Sequence, residues 1–469
     1  MARNGLHGII VALAFIAAAC GGGGSNQQDA GVQEDATGPQ FDREQQDQFV
    51  QEDAPVNDNN DSFAQAIQMD FTSASQKSGV INPKGDEDFY KFTGQAGTWI
   101  GIWVSANTEC TEGKLDPVVT LYDSSETQIA ENDDEVRGVN CDSFLITRLP
   151  STGTYYAKVR DWFHFYYPSD DTKWQGGPLF TYKIYLLTLE DGVSGTIIDQ
   201  EPGNDLATAA PLTFPAGAAG SLLGTYANTS DIDVYTFTLT ADSTVYYSFQ
   251  SEGSDGNGSS AKLGDVTITD SAGATIIARI DGAGGALELE PPLVPAGNYA
   301  LWIKSSGALG ANAFYTASFF TGSTDNPVDA EGATASGAND TLANAEPLTE
   351  SATAGSYFVL SHLPTLGDVD YYKVDLAAST TLAVACGAAR NGSGVQGLTV
   401  SIRDSGDSEI RAGTETLSEN LVVGGSSTST DPLNISTAGT YYVKLSKTGQ
   451  AAEVAASWIR CGIHSRPQQ

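Results

Sequence analysis

The chain has 469 residues, and 58 Asp and Glu against 23 Lys and Arg give it a formal net charge of −35. A nucleic-acid partner is excluded, because a phosphate backbone must be met by clustered Lys and Arg and no basic run of four or more occurs. The same balance excludes docking by charge onto an anionic lipid surface. At about 100 to 200 residues per domain, the length predicts about two to four globular domains.

Residues 1–19 follow the pattern of a signal peptide. One positive charge precedes the apolar stretch Gly5–Ala19, which is too short for a membrane span of about 20 residues. The stretch ends in Ala17-Ala18-Ala19-Cys20, which resembles the bacterial lipobox, where the thiol is lipidated and the chain is cut before it. The lipobox more often has Leu at the position of Ala17. The resemblance implies a lipid anchor at Cys20; the alternative is ordinary secretory cleavage that leaves Cys20 as a free thiol.

Residues 20–56 form an acidic segment rich in Gly and Gln. With almost no large apolar side chains the segment cannot bury enough surface to fold, so it is predicted to be a disordered tether. Gly21 stands where some bacteria require Asp to keep a lipoprotein at the inner membrane. We therefore expect the outer membrane or the cell surface, with the folded part held away from the bilayer.

Four further cysteines remain once Cys20 is assigned to lipid. An exported protein with an even number of thiols usually pairs them. The pairing that keeps each bond inside one domain is Cys110 with Cys141 and Cys386 with Cys461. The absence of any CxxC motif or Cys/His cluster in the sequence argues against a zinc site.

Three stretches of the chain share motifs in the same order, which indicates an internal repeat. The opening motifs are Asn60–Ala66, Glu201–Ala209 and Asn339–Ala345; the middle motifs are Gly85–Tyr90, Asp231–Tyr235 and Gly367–Tyr372; the last motifs are Gly153–Tyr156, Gly297–Tyr299 and Gly439–Tyr442. From the first Asp of the middle motif to the Gly of the last motif the separations are 67, 66 and 71 residues. We expect domains at 57–190, 199–322 and 336–464, the second being divergent, with a linker at 323–335.

Within each repeat, short alternating runs separated by turns predict strands and no long helices. Val118–Tyr122, Asp123–Glu126 and Gln128–Ala130 indicate strand, turn and strand, and the other two repeats carry counterparts. Strands opened by a Gly turn are predicted at Tyr155–Val159 and the two equivalent positions. Strands and turns alternating about every ten residues are typical of β-sandwiches, so the predicted fold class is all-β with three tandem sandwiches.

The repeated motifs resemble the bacterial pre-peptidase C-terminal domain, a family that includes the collagen-binding domains of clostridial collagenases. The resemblance is carried by Asn-Asp-Ser/Thr-Phe/Leu-Ala, Asp-x-Asp-x-Tyr, Leu115–Tyr122, Glu131–Asp134 and Gly-Thr-Tyr-Tyr. It covers roughly 380 residues and is strongest in the first repeat. It implies jelly-roll-like β-sandwiches that usually follow a secreted peptidase and often serve as binding modules. No peptidase precedes the repeats in this sequence.

The Asp-x-Asp pairs are the first candidate site. Side chains at i and i+2 of a strand lie on one face, so each pair holds two like charges within about 7 Å of each other. Oxygen ligands of this kind suit Ca²⁺, and in the collagen-binding relatives the acidic entry segment meets this strand and binds calcium. The resemblance implies the ligands Asn60, Asp61, Asp86, Asp88, Asn339, Asp340, Asp368 and Asp370. The alternative is that these residues cap turns and bind no metal.

The second repeat keeps Asp231 and Asp233 of this pattern. It has Gly203-Asn204 where the family has Asn-Asp, so no ligand set is assigned to it from the sequence.

An aromatic insertion in the first repeat is the second candidate site. From Tyr156 to Tyr182 there are 26 residues, against 16 from Tyr299 to Tyr315, and we expect the additional residues to form a long hairpin. The aromatic residues of the insertion are Trp162, Phe163, Phe165, Tyr166, Tyr167 and Trp174. Such a surface recognises sugars or extended polypeptides by stacking. The alternative is that the rings pack over the sandwich edge or against the second repeat.

The sequence offers no pattern for catalysis. It contains no HExxH, GxSxG or Walker motif and no GxGxxG motif before a helix. A glycosidase that uses paired Asp residues is the third-ranked hypothesis, because these pairs recur as a feature of the scaffold. The leading prediction is a non-enzymatic, lipid-anchored binding module of the bacterial envelope that recognises extracellular protein or polysaccharide. The second is a structural spacer or subunit that contacts envelope proteins and has no ligand of its own.

Overall fold

The computed structural model describes residues 59–467. The gaps are 72–74, 107–113, 134–141, 193–194, 200, 202, 214–218, 251, 282–287, 290, 292–293, 308, 323–336, 351–354, 416–420, 424–432, 453 and 455–456. The predicted signal peptide 1–19, Cys20, the tether 20–56, Cys110, Cys141 and the linker 323–335 lie outside the described residues.

Sandwich 1 consists of two sheets built from nine strands. The strands are β1 (Ile67–Gln68), β2 (Gln76–Val80), β3 (Glu87–Gly94), β4 (Trp99–Ser105), β5 (Pro117–Tyr122), β6 (Gln128–Asn132), β7 (Ser143–Arg148), β8 (Gly153–Asp161) and β9 (Thr181–Thr188). One sheet has the order β1-β3-β8-β5-β6 and the other β2-β9-β4-β7. A five-residue helix, α1 (Trp162–Tyr166), follows β8, and a 3-10 turn (Phe63–Gln65) precedes β1.

Sandwich 2 contains ten strands. They are β10 (Thr196–Ile198), β11 (Ala210–Pro211), β12 (Ala219–Thr225), β13 (Ile232–Leu239), β14 (Thr244–Phe249), β15 (Lys262–Asp270), β16 (Ile276–Asp281), β17 (Glu288–Leu289), β18 (Gly297–Ser306) and β19 (Phe314–Gly322). The sheet orders are β11-β13-β18-β15-β16 and β10-β12-β19-β14-β17.

Sandwich 3 contains twelve strands. They are β20 (Glu346–Pro347), β21 (Ser356–His362), β22 (Val369–Leu376), β23 (Thr380–Gly387), β24 (Val395–Gln396), β25 (Thr399–Arg403), β26 (Glu409–Thr414), β27 (Leu421–Val423), β28 (Leu433–Ile435), β29 (Gly439–Ser446), β30 (Gly449–Gln450) and β31 (Trp458–Pro467). The main sheets have the orders β20-β22-β29-β25-β26 and β21-β31-β23-β27, while β28 pairs with β23 and β24 with β30. Two 3-10 turns lie at Leu342–Asn344 and Ala389–Asn391.

The three sandwiches share one strand order. The sheet that begins with a two-residue parallel strand has the same five-strand path in each, and β2, β12 and β21 occupy equivalent places in the opposing sheets. Sandwich 2 adds β10, which pairs in parallel with β12, so its sheet begins at Thr196, three residues before the expected boundary of 199. The predicted all-β fold of β-sandwiches is confirmed.

Burial explains why the middle motif recurs. β3, β13 and β22 have the same burial pattern along their eight residues, and one tyrosine of each strand is completely buried: Tyr90, Tyr235 and Tyr372. These tyrosines belong to three separate hydrophobic clusters, one in each sandwich. Each Asp-x-Asp-x-Tyr motif therefore joins a polar sandwich edge to an apolar core.

The last repeated motif contains a tyrosine whose hydroxyl is hydrogen-bonded to the turn before its strand. The hydroxyls of Tyr155, Tyr299 and Tyr441 each donate a hydrogen bond to the backbone carbonyl four residues upstream, at 2.5, 2.7 and 2.8 Å. The Gly of the motif opens the strand that carries the tyrosine. This arrangement resembles the tyrosine corner of other β-sandwiches and ties the loop to the strand that follows it.

The predicted strand, turn and strand units are confirmed as β5–β6, β15–β16 and β25–β26. In each turn an aspartate side chain accepts backbone N–H bonds, two at Asp123 and Asp404 and three at Asp270. A short side chain that accepts from the residues after it is a common reason for Asp at a turn.

The predicted disulfide between Cys386 and Cys461 is confirmed. The two cysteines face each other on the neighbouring strands β23 and β31 inside the core of sandwich 3. Sandwich 1 forms one compact unit of the chain, and sandwiches 2 and 3 together form another. Among the described residues, none of the helices has the length and apolar character needed to cross a bilayer.

Candidate metal centres

Three groups of carboxylates come together, one in each sandwich. Within each group, one oxygen of every member lies within 4.8 Å of the others. The groups are Asp61, Asp86 and Asp88 (cluster 1); Asp199, Glu201 and Asp233 (cluster 2); and Asp340, Asp368 and Asp370 (cluster 3). Clusters 1 and 3 consist of residues that the sequence singled out. Acidic groups this close together could hold a metal ion.

A backbone hydrogen bond brings the entry segment to the strand in all three sandwiches. The carbonyl oxygen of Asn60 accepts from the N–H of Phe89 at 2.8 Å, and that of Asn339 accepts from the N–H of Tyr371 at 2.9 Å. In sandwich 2 the carbonyl of Gly203 takes this place. Asn60 and Asn339 are buried, and the next residue along the chain is the first aspartate of its cluster.

The first Asp of each Asp-x-Asp pair lies just before the strand, and in sandwiches 1 and 2 it also accepts a hydrogen bond within the preceding turn. The carboxylate of Asp86 accepts from the N–H of Asn82 at 3.0 Å, and that of Asp231 accepts from Ala227 at 2.6 Å. Burial is the main reason that the pKa of Asp86 is raised, and the charge of Asp61 adds to it. Asp86 and Asp231 therefore do cap turns, as the alternative to metal binding in the sequence analysis expected.

Cluster 2 uses residues that the sequence interpretation missed. Asp233 meets Asp199, which lies two residues before the opening motif, and Glu201, the first residue of that motif, whereas Asp205 caps a turn by accepting from Ala207 and Thr208 at 2.9 and 3.0 Å. The signal was present as two acids spaced by one residue at the start of the motif. It was obscured because these acids fall at the boundary expected between two domains.

Asp233 provides the clearest test of whether a cation fits. Its side chain is completely buried, and neither carboxylate oxygen has a hydrogen-bond partner among the described residues. Burial and then the charge of Asp199 raise its pKa to about 8, against an opposing effect of the nearby Tyr315 hydroxyl. A buried carboxylate with so little hydrogen bonding is costly unless it is protonated or paired. A hard cation would supply that pairing, so the donor set of cluster 2 fits one.

In sandwich 1 a buried hydroxyl supports the inner aspartate of the pair. The Tyr182 hydroxyl donates to the carboxylate of Asp88 and lies 2.9 Å from the Tyr90 hydroxyl. Burial and these neighbours raise the pKa of Tyr182 well above its ordinary value, so it remains a donor. Gly79 is opposite Tyr182 in the register of β2 and β9, and a Cβ at this position would overlap the tyrosine ring.

Sandwich 3 supports the equivalent aspartate differently. Ser361 lies nine residues before Asp370, as Gly79 does before Asp88, and its hydroxyl donates to the Asp370 carboxylate. The residue opposite Ser361 on β31 is Ile459, which has no hydroxyl. The hydroxyl that donates to the inner aspartate is thus on β9 in sandwich 1 and on β21 in sandwich 3. In sandwich 3 the donor is the small residue itself, at the position that Gly79 occupies in sandwich 1.

The aromatic insertion is folded onto itself and onto sandwich 1. The rings of Trp162 and Tyr166 stack at 4.8 Å with an angle of 11° between their planes, as expected for positions i and i+4 of α1. Trp174 packs over Gly85 and donates from its ring nitrogen to the Tyr167 carbonyl at 2.8 Å. Phe163 is half-buried beside Trp162 and Tyr167. Tyr166 is 59% exposed, and the other aromatic residues of the insertion are half-buried.

The insertion begins as a helix, and not as the expected hairpin. Asp161 caps α1 by accepting from the N–H of Phe163 at 3.0 Å, and burial raises the pKa of Asp161 to about 6. Beneath the insertion lies an ion network in which Arg160 contacts Glu131 at 3.2 Å and also stacks over the ring of Phe165 at 4.7 Å. Five of the six rings are therefore half-buried in the packed insertion, and Tyr166 is the ring with a face exposed to solvent.

Known proteins show the same family signal. Residues 86–161 match the bacterial pre-peptidase C-terminal domain. This stretch runs from Asp86 to Asp161 and therefore includes two members of cluster 1. Domains of this family are non-catalytic modules that occur together with proteases.

A probable subtilase-type serine protease of Deinococcus radiodurans is 34% identical over 100 residues, which is 21% of this chain and 13% of that protease. The chain therefore matches about an eighth of the length of this curated relative.

Two solved structures are similar over 26% of this chain. A pre-peptidase C-terminal domain of a Bacillus anthracis collagenase is matched over 93% of its length, with 15% identity and a TM-score of 0.17. A periplasmic inhibitor of g-type lysozyme from Salmonella Typhimurium is matched over 99% of its length, with 18% identity and a TM-score of 0.17.

Proposed function

We propose that this protein is a non-catalytic binding module that a lipid at Cys20 anchors to the bacterial envelope, with its sandwiches stabilised by Ca²⁺. The observation that carries the metal part is the recurrence of an acidic cluster at the same place in three sandwiches. The ligands proposed are Asn60, Asp61, Asp86 and Asp88 in sandwich 1, and Asn339, Asp340, Asp368 and Asp370 in sandwich 3. Cluster 2 adds Asp199, Glu201 and Asp233.

Calcium is the cation that suits these donors. The clusters offer carboxylate oxygens, and buried amide side chains lie next to clusters 1 and 3, without the sulfur or imidazole ligands that zinc prefers. A bound cation would offset the repulsion among three acids and tie the entry segment to the strand. The expected effect is greater stability of each sandwich at the point where the chain enters it.

The anchor and the metal can be tested with one preparation. Full-length protein with Cys20→Ser is expected to leave the membrane fraction and to lack a lipid mass on its N-terminal peptide. If this variant remains in the membrane fraction with a modified mass, the anchor proposal is wrong.

Thermal unfolding of this soluble full-length protein is then measured in EDTA and in millimolar Ca²⁺. We expect a higher melting temperature with calcium, because a ligand at about 100 times its Kd stabilises the folded state by about 2.7 kcal/mol. Asp61→Asn should reduce the calcium effect, and Asp70→Asn, which changes an exposed acid outside the cluster, should leave it unchanged. Identical melting curves in EDTA and calcium would overturn the metal proposal.

The binding surface that we propose is the aromatic insertion, and its partner is an extracellular protein or polysaccharide. The exposed face of Tyr166, stacked on Trp162, can receive a sugar ring or an apolar side chain. We expect Tyr166→Ala to weaken binding to an immobilised polymer at least tenfold. Leu179→Ala is the matched control, because Leu179 is 80% exposed in the same insertion and its aliphatic side chain offers no ring for stacking.

The probes for this binding experiment are collagen and a panel of bacterial and plant polysaccharides. Failure of the wild-type protein to bind any of them, or binding by Tyr166→Ala equal to wild type, would remove the ligand proposal. The second candidate, a spacer that contacts envelope proteins without a ligand, would then be preferred. A specific observation favours it: the N–H of Arg279 in sandwich 2 donates to the Gly392 carbonyl of sandwich 3 at 2.9 Å.

A further inference from the structure

Sandwich 3 contacts one edge of sandwich 2. The contact is made by the turn that includes the 3-10 residues Ala389–Asn391, and it lies against β16, the last strand of its sheet. Besides the Arg279 to Gly392 hydrogen bond, Ile276 and Val454 form a parallel β-bridge between the two sandwiches. Both contacts lie within the unit that contains sandwiches 2 and 3.

We infer that sandwiches 2 and 3 form a single rigid arm, held by docking of the turn 388–392 onto the edge of sandwich 2. This inference does not depend on the metal or on the polymer ligand. It concerns an interaction surface of sandwich 2 whose partner is the next domain of the same chain.

Gly392 is the centre of the docked surface. Its φ is +98°, a left-handed conformation that favours glycine. A Cβ at this position would lie 3.1 Å from Cγ of Leu289, 3.3 Å from the Arg279 nitrogen and 3.5 Å from Cβ of Ala278. Leu289 and Ala278 are completely buried members of the sandwich 2 core. The turn therefore reaches core residues of the neighbouring domain, and a side chain at 392 would push the two surfaces apart.

The docking turn is organised within its own domain. The carboxylate of Glu415 accepts hydrogen bonds from the N–H groups of Ala388, Ala389 and Arg390 at 2.8, 3.1 and 3.2 Å. The N–H groups of Asn391 and Ser393 both donate to the carbonyl of Ala388 at 3.0 Å. A surface that is already ordered loses little conformational entropy on docking, so few contacts are sufficient to hold it.

Docking also provides a hydrogen-bond partner for a backbone group on the edge strand β16. An edge strand presents N–H and C=O groups that can pair with other chains. Arg279 lies on such a strand, and its N–H is taken by Gly392. Sandwich 3 thus protects the edge of sandwich 2 and at the same time fixes its own orientation.

The docking is tested by an engineered disulfide in the full chain with Cys20→Ser. The paired residues are replaced as Ile276→Cys and Val454→Cys, and peptide mapping under non-reducing conditions measures the cross-link. We expect the bond to form in the otherwise unchanged chain and to form at least tenfold more slowly when Gly392→Val is added. No cross-link in the unchanged background, or an equal rate with Gly392→Val, would overturn the inference.

A second measurement separates undocking from misfolding. Gly253→Ala is the matched control, because Gly253 also has a left-handed backbone, at φ +86°, and a Cβ there would meet open space. In calorimetry, we expect sandwiches 2 and 3 to unfold in one transition in the wild type and with Gly253→Ala, and in two with Gly392→Val. Resistance of the Cys386 to Cys461 disulfide to a mild reductant shows that sandwich 3 has folded, because both cysteines are buried in its core. Separate transitions in the wild-type protein would contradict the rigid arm.

Discussion

Sandwiches 1 and 3 support the same buried aspartate from opposite strands. In sandwich 1 a tyrosine on β9 reaches Asp88 across Gly79, and in sandwich 3 a serine on β21 reaches Asp370 beside Ile459. The volume opposite the small residue is filled by an aromatic ring in one case and by an aliphatic side chain in the other. The comparison indicates that a hydroxyl near the inner carboxylate is the shared requirement, whereas the residue that provides it can change.

The substitutions with the largest expected effect replace Gly79 and Tyr182 of sandwich 1 by the Ser and Ile that occupy the equivalent positions in sandwich 3. Gly79→Ser alone is expected to destabilise sandwich 1 by about 3 kcal/mol, because its Cβ would overlap the Tyr182 ring. Adding Tyr182→Ile removes the ring and leaves the serine to donate to Asp88, so at least half of the loss should be recovered. Tryptophan fluorescence during denaturation reports mainly on sandwich 1, which has four of the six tryptophans: Trp99, Trp103, Trp162 and Trp174.

Additive effects of the two substitutions would contradict the exchange. Residues that share one space and one hydrogen bond are expected to couple by about 0.5 to 3 kcal/mol. A double variant that is less stable than either single variant would show that the two sandwiches do not use equivalent arrangements.

A smaller effect is expected when only the hydroxyl is removed. Tyr182→Phe and Ser361→Ala each leave a buried carboxylate without its donor, at a cost of about 2 kcal/mol. Amide hydrogen exchange of peptides from β3 and β22 measures the loss in each sandwich separately. Tyr122→Phe is the control, since this half-buried tyrosine packs on Phe63 away from the inner aspartate. If amide protection from exchange is the same in the two variants as in the control, the hydroxyls do not have the role assigned to them.

The sequence predicted the parts of the molecule that depend on local pattern. Alternation and Asp turns predicted the hairpin β5–β6, and the resemblance to the pre-peptidase C-terminal domain implied Asp61, Asp86 and Asp88, which meet in cluster 1. The hairpin was predictable because it requires particular residue types at a short, fixed separation, whereas Asp61 was matched to the Asp-x-Asp pair only through the order of the family's motifs. The disulfide between Cys386 and Cys461 was predicted because this pairing keeps the bond inside one domain.

Other features depend on contacts that a single sequence does not record. Asp199 and Glu201 join cluster 2 because β10 extends the sheet of sandwich 2 upstream, and a three-residue strand has too little pattern to be recognised. The start of α1 was missed although Asp161 before Trp162 is a reasonable helix cap, because five aromatic residues in six positions favoured strand. The pairing of Tyr182 with Gly79 requires knowledge of the register between distant strands.

The overlap between a Cβ at position 79 and the Tyr182 ring also restricts the way in which one arrangement could evolve into the other. Starting from Gly and Tyr, a change to Ser first would pass through a crowded intermediate, whereas a change of Tyr to Ile first would leave a cavity over Gly79 and a missing hydrogen bond. Each route therefore passes through an intermediate that is destabilised, by overpacking in one case and by lost packing in the other. A lineage that exchanged these residues is expected to have changed both positions close together, without a long-lived repeat that carried only one of the two changes.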